Sequence, residues 1–225
     1  VEAYLAGDPV SFSGKRVRFP DTFFSVRTLQ KRPAIYVAGM AGDPETTKRA
    51  VTRGYVPFFT TGWNKLEAIA QLRGKVAQAY ASAGGDVPAM PFALQRYVFV
   101  TDDPKAALRA ADGVRYVRRI AQAMRGNYGE LDGSYLKEMP AADEPPLEEI
   151  VDRLLIGDAE TVTEKLSSEI DALNPTHISC FMGIPGLPQN AIMKSIEEFG
   201  AKVLPAIGKH LGPSADTGIS RRAVA

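Results

Sequence analysis

Two glycines, Gly39 and Gly42, stand between the apolar run Ile35-Tyr36-Val37 and the helix start Asp43-Pro44-Glu45. Without a Cβ, glycine lets the backbone bend sharply or approach a ligand closely. Asp43 is a good N-cap, Pro44 suits the first helical position, and Glu45 is favoured in the first turn. Gly54 is a natural stop for the same helix. A helix start leaves unpaired N–H groups facing the end of the preceding strand, and such a place binds anions, phosphate above all. The same residues also make a plain βα connection with a well-formed cap. A G-x-x-G spacing is neither the dinucleotide fingerprint nor a P-loop, so at this point both readings stand.

The rest of the composition narrows the chemistry. The chain has 225 residues, 45% of them hydrophobic, which is enough for one domain with a substantial core. Its 27 basic residues against 26 acidic ones leave no excess to neutralise phosphates, which argues against nucleic-acid and membrane-surface partners. One cysteine, Cys180, excludes an internal disulfide framework and fits a reducing, cytoplasmic setting. With only His177 and His210 present, no metal site is expected. No apolar run is long enough to span a bilayer, and no signal peptide opens the chain.

Stepping along the chain, residues 1–33 read as irregular apart from a small hairpin over Val10–Phe19, ended by Pro20. Strands are expected at Ile35–Ala38, Tyr55–Thr61, Phe92–Val100 and His177–Gly183. Pro57 counts against a central position for the second, unless pairing begins just after it. Helices follow each strand: after Asp43, from about Asn64 to Ser82, from Pro104 with a resumption at Val114, and from Gln189 to about Leu211. A further helix pattern starts at Leu147, and another is capped by Asp158. Arg115, Arg118, Arg119 and Arg125 read as a solvated helix face. Residues 126–146 read as a long surface excursion, and 213–225 as a mobile tail after a domain over 1–212. His177 begins its strand and reads as structural; Cys180 reads as an inert core thiol. Strand–helix alternation of this kind means an α/β fold with a parallel sheet and helices outside it.

Order and wording of these units resemble the flavin-dependent, bacterial-luciferase-like monooxygenase superfamily. Leu29–Gly39 looks like the family's proline-rich lead into its fifth barrel strand, and Thr46–Gly54 like the helix after it. Ile156-Gly157-Asp158-Ala159-Glu160-Thr161-Val162 is similar to its Gly-(Thr/Asp)-Pro-Glu-x-Val turn, with Ala159 in place of proline. Ser195–Pro205 is similar to its final-helix signature.

The resemblance implies a TIM (β/α)8 barrel of which this chain supplies about the second half, strands five to eight. Further β/α units are then expected before Val1, and with them the catalytic residues, so none is named here. It places the flavin phosphate at the turn after strand five, with Gly39, Met40, Ala41 and Gly42 as backbone donors and Thr46 as a hydroxyl donor. Phe58, Phe59, Trp63, Phe181 and Met182 lie at or after strand ends, where they would line an apolar substrate pocket or pack in the core. The activity implied is oxygenation of a small organic substrate by O2 and reduced FMN, supplied by a separate flavin reductase to a homodimer. Hydride transfer with F420 is the alternative cofactor chemistry on this fold, and a non-catalytic flavin-binding or partner barrel subunit the alternative of another class.

Overall fold

In the computed structural model, residues 2–23, 25–30, 33–39, 43–125, 130–140 and 144–212 are described. The chain opens with helix α1 (Glu2–Ala6) and an antiparallel hairpin of β1 (Val10–Ser13) and β2 (Arg18–Thr22). The hairpin runs through Pro20 rather than stopping there, since on an edge strand the missing N–H costs no ladder bond. Then follow β3 (Tyr36–Ala38), α2 (Pro44–Arg53), β4 (Val56–Thr60), α3 (Leu66–Ser82), β5 (Ala93–Val100) and α4 (Pro104–Arg125). After a two-residue pair, β6 (Leu131–Asp132) and β7 (Tyr135–Leu136), come α5 (Leu147–Arg153), β8 (Leu155–Gly157), α6 (Ala159–Leu173) and β9 (His177–Phe181). The chain closes with α7 (Gln189–Glu198), a π-helical turn (Phe199–Val203) and α8 (Leu204–Leu211).

The main sheet is parallel. β3 pairs with β4, β4 with β5, and β5 with β9, while β8 pairs with the far end of β5 at Val98–Val100. Among the described residues β3 and β9 are edges, so the sheet is open and no barrel closes within it. Pro57 is tolerated in an interior strand because pairing with β5 begins one residue later, at Phe58. β8 is a strand that the sequence pattern did not announce: three residues ending in glycine carry too little periodicity. The last helix contains a π turn just before Pro205. Proline has no N–H for the carbonyl four residues back and its ring crowds that carbonyl, which accounts for the widened turn.

Helices α3 and α6 cover one face along the sheet, and α4 and α5 cover the C-terminal end of the other. Phe59, Phe92 and Leu94 pack with Ile69, Val76 and Tyr80 of α3 and Leu173 of α6. Val98, Val100 and Leu155 pack with Val162 and Leu166 of α6 and with Phe199, Val203 and Ile207 behind them. A third cluster sits where β5 runs past its neighbours: Phe99 and Ile156 meet Ala107, Ala110 and Val114 of α4 and Ile150 of α5. There α4 comes close to the loop after β9. A Cβ on Gly113 would stand 2.2 Å from the Pro185 carbonyl oxygen, so this contact requires glycine.

Within the 126–146 excursion, the described residues 130–140 and 144–146 carry more order than the sequence suggests. β6 and β7 form a short hairpin, and Arg119 of α4 ties the segment down through Glu138 (3.1 Å) and Glu144 (2.6 Å). Both carboxylates push the guanidinium pKa up, the Glu144 hydrogen bonds most. Arg115 pairs with Asp112, and Arg118 stacks over Trp63 at 5.9 Å. Arg115, Arg118 and Arg119 are therefore paired rather than simply solvated. Residues 126–129 and 141–143, parts of the 126–146 excursion, and the 213–225 tail lie outside the described residues.

Candidate functional site

Alternation along the strands fixes which side chains share the open face. Register sets Ala38, Phe58, Ala93 and His177 level with one another, then Thr60, Gln95 and Ser179, then Tyr97 and Phe181 toward the strands' C-terminal ends. Ring contacts agree: Tyr97 and Phe181 meet edge to face at 5.3 Å, as do Tyr36 and Phe58 at 6.2 Å. Tyr36 and Phe181 remain 44% and 40% exposed, whereas Phe99, farther along the same face of β5, is buried under α4. At its N-terminal end the Tyr36 hydroxyl and His177 Nδ1 hydrogen-bond at 2.8 Å, linking the two edge strands. Burial raises the Tyr36 pKa and lowers that of His177, so both are neutral at pH 7.

Phe58 and Phe181 lie on this open face. Phe59 does not: the neighbouring strand position points the other way, and its ring stacks on Phe92 at 5.6 Å in the helix-side core. Met182 also packs on the helix side, and Trp63 flanks the α4 cluster. Phe59 is thus corrected from pocket to core.

At the end of β3, Gly39 has φ 75°, and the space a Cβ would occupy is empty to 4 Å. Met40, Ala41 and Gly42 lie outside the described residues. Asp43 caps α2, accepting from the Thr46 N–H at 3.1 Å and from the Thr46 hydroxyl as well. Thr46's hydrogen bonds hold the Asp43 carboxyl below the usual carboxylate range. The first turn of α2 is therefore filled by an anion of the chain's own, and the Thr46 hydroxyl is committed to it. Backbone at Gly39 remains accessible for close approach.

A buried charged cluster lies on the opposite, helix-side face. Arg96 of β5 is 1% exposed and bonds Glu169 Oε1 through Nε at 2.9 Å and Nη2 at 2.7 Å. Its remaining donors reach the Thr61 hydroxyl at 3.1 Å, the Gly62 carbonyl at 2.9 Å and the Arg153 carbonyl at 2.6 Å. Lys165 Nζ donates to the carbonyls of Val151, Leu154 and Ile156. Burial raises the Glu169 pKa against the pull of Arg96 and Lys165. Sequence reasoning missed this cluster, though two signs were present. Arg96 sits between strand neighbours Leu94 and Val98, and Glu169 shares the buried stripe of Val162, Leu166 and Leu173. Cys180 is half-buried beside it, and burial, then Glu169, pushes its thiol up to about 11. At pH 8 it should react with a disulfide reagent about a hundredfold more slowly than in the urea-unfolded chain. Equal rates in the two states would contradict this burial.

Among the described residues no His, Cys, Asp or Glu group is arranged to hold a metal ion. None of the described helices is long and apolar enough to cross a membrane.

A family model described as luciferase-like monooxygenase matches residues 1–173. An uncharacterized protein, y4vJ of Sinorhizobium fredii (strain NBRC 101917 / NGR234), is 32% identical over 204 residues, which is 90% of this chain and 58% of that protein. The chain thus spans little more than half the length of this relative. Three solved structures share the fold. Monooxygenase RslO1 from Streptomyces bottropensis has a TM-score of 0.64 at 17% identity, over 92% of this chain and 58% of its own. An F420-dependent secondary alcohol dehydrogenase in complex with an F420-acetone adduct has a TM-score of 0.61 at 17% identity, with the same coverages of 92% and 58%. The oxygenating constituent of 3,6-diketocamphane monooxygenase from Pseudomonas putida, in complex with FMN, has a TM-score of 0.51 at 21% identity, over 89% and 55%.

Proposed function

The chain belongs to the luciferase-like monooxygenase family, and on that premise we propose that it forms part of a flavin-dependent monooxygenase acting on a small organic substrate. One observation carries the reading: a parallel sheet covered by α3 and α6 on one side, whose other face is aromatic and uncharged and is roofed at the C-terminal end of β5 by α4. In α/β proteins ligands bind outside the strand C-terminal ends. On this reading the open face is one wall of a (β/α)8 barrel's interior, the chain being about its second half. Reduced FMN supplies the electrons with which O2 oxygenates the substrate.

The chain's own part is to hold and enclose. Backbone N–H groups from Gly39 to Gly42 would hold the flavin phosphate, where Gly39 admits a close approach. Thr46 would join them only by turning its hydroxyl away from Asp43. Phe58 and Phe181 would line the substrate side. A flavin reductase and a second copy of the chain complete the proposed assembly. Hydride transfer with F420 is the second reading, favoured by the fold likeness to an F420-dependent alcohol dehydrogenase. Oxygen uptake on adding reduced FMN to the natural full-length protein tests the first reading. Tight F420 binding without such uptake would replace it with the second.

The Asp43 cap offers a sharper test of where the phosphate sits. Asparagine caps a helix as well as aspartate does, so Asp43→Asn keeps the turn and removes only the charge. With that negative charge gone, FMN should bind about fivefold more tightly. Riboflavin, which has no phosphate, should bind both forms alike. Equal FMN affinity in the two forms would move the phosphate away from this helix start.

A further inference from the structure

Arg96 joins the two elements that meet beyond the C-terminal end of β4. Its Nη1 donates to the Thr61 hydroxyl at 3.1 Å and to the Gly62 carbonyl at 2.9 Å, so the turn into α3 hangs from β5. Thr61 is buried, and its hydroxyl donates in turn to the Gln95 carbonyl at 3.1 Å. Gly62 then bends the chain with φ 52°, a left-handed value that favours glycine, and the Asn64 N–H closes the turn on the Thr61 carbonyl. Through Nη2 the same guanidinium holds the Arg153 carbonyl at the C-terminal end of α5, where a cation is favourable. Glu169 fixes the guanidinium itself from α6. The residue so placed is Trp63. It packs against the cluster in which α4 and α5 roof Phe99 and Ile156, with the Arg118 guanidinium 5.9 Å from its ring centre. The bonds that Arg96 makes are internal to β4, β5, α5 and α6, so they do not depend on what covers the sheet's other face.

We propose that Arg96 is a positioning residue of the ligand site, setting from within the core where the Trp63 turn stands at the strand C-terminal ends. The proposal rests on the flavin reading. β3 and β4 run parallel and side by side, so the turn after β4 adjoins the Gly39 turn proposed to hold the phosphate. A ring system anchored at Gly39 and lying across the strand ends meets the Trp63 turn next, and an aromatic wall suits a flat ring. Arg96 itself touches no ligand. It acts by fixing the turn, and a positioning element displaced by about 1 Å already weakens what it positions.

Thr61 lets this role be tested without stranding a charge. Thr61→Val keeps the shape of the side chain and removes only its hydroxyl, which Thr61→Ser retains. Flavin titration and 19F spectra of the natural full-length protein carrying 5-fluorotryptophan read the result, the Trp63 signal being identified by its loss in Trp63→Phe. Thr61→Val should shift the Trp63 signal in the ligand-free protein and weaken FMN and riboflavin alike, by about fivefold. Thr61→Ser should keep both at their original values. Arg96→Lys, which leaves a cation for Glu169 but has no fork to span Thr61 and Arg153, should show the same shift and loss as Thr61→Val. Val76→Ala, which opens a core cavity farther along α3, should lose stability yet leave the Trp63 signal and both flavin affinities unchanged. An unmoved Trp63 signal in Thr61→Val, a shifted signal with unchanged flavin affinities, or an equal loss of affinity in Val76→Ala would overturn the proposal. Weakening of FMN with riboflavin spared would put the effect at the phosphate and overturn it too. The flavin reading fails on a different outcome, an unmutated protein that retains no flavin, and the ligand-free Trp63 signal then still decides whether Arg96 sets the turn.

Discussion

Arg96→Met should cost about 3–5 kcal/mol of unfolding free energy, because it strands a carboxylate where water does not reach. Glu169 is 5% exposed, and Arg96 is the cation hydrogen-bonded to it. Methionine fills much of the volume but donates nothing. The carbonyls of Gly62 and Arg153 lose their donor in the same step, as does the Thr61 hydroxyl. Glu169, its pKa already raised by burial, would then take up a proton on folding, so the variant's stability should fall as pH rises through that raised value. The double variant Arg96→Met, Glu169→Leu should be more stable than Arg96→Met alone, since an apolar pair leaves no orphaned charge. Urea unfolding of the three proteins measures this. A loss below about 1 kcal/mol in the single variant would mean that the pair is hydrated after all.

Phe59→Ala should cost about 3–5 kcal/mol as well, for a different reason: it empties a core site. Phe59 is 8% exposed, stacked on Phe92 and enclosed by α3. Its neighbour offers the control. Phe58 faces the open side, half-buried, with Tyr36 at its edge. Phe58→Ala should cost well under half as much stability and instead weaken binding of apolar ligands. Thermal unfolding of both variants, side by side with ligand dialysis, separates the two faces of one strand. Equal destabilisation would mean that the open face is covered as firmly as the other.

Much of this was legible in the residues. The four strands β3, β4, β5 and β9 announce themselves as apolar runs, and the Asp43 and Asp158 caps are found where side-chain chemistry puts them. Alternation was legible too, yet a run such as Val56-Pro57-Phe58-Phe59 is apolar at every position, so the pattern alone does not say which phenylalanine faces the helices. Arg96 was hidden for another reason. Its partner lies on α6, 73 positions away, and flanking Leu94 and Val98 mark the face as apolar without telling which residue pairs the charge. For Thr46 the residue type was right for donating to a phosphate, but the structure shows the closer acceptor already in place three residues earlier. At the turn itself, the described residues reach only to Gly39.

The central position of β5 has a consequence in time. Its Ala93–Tyr97 segment pairs with His177–Phe181, so one side of the longest strand has no partner until the ribosome has made residues 98–181. At about 5–20 residues per second that is an interval of roughly 4–17 s. During it, Leu94 and Val98 can be shielded by nothing that α6 or β9 supplies, and a bare strand edge is a template for pairing with other chains. Gln95 and Arg96, two polar residues in the middle of that strand, make the waiting segment less adhesive than its flanks. The arginine that later ties the folded core together thus begins as a guard for the growing chain.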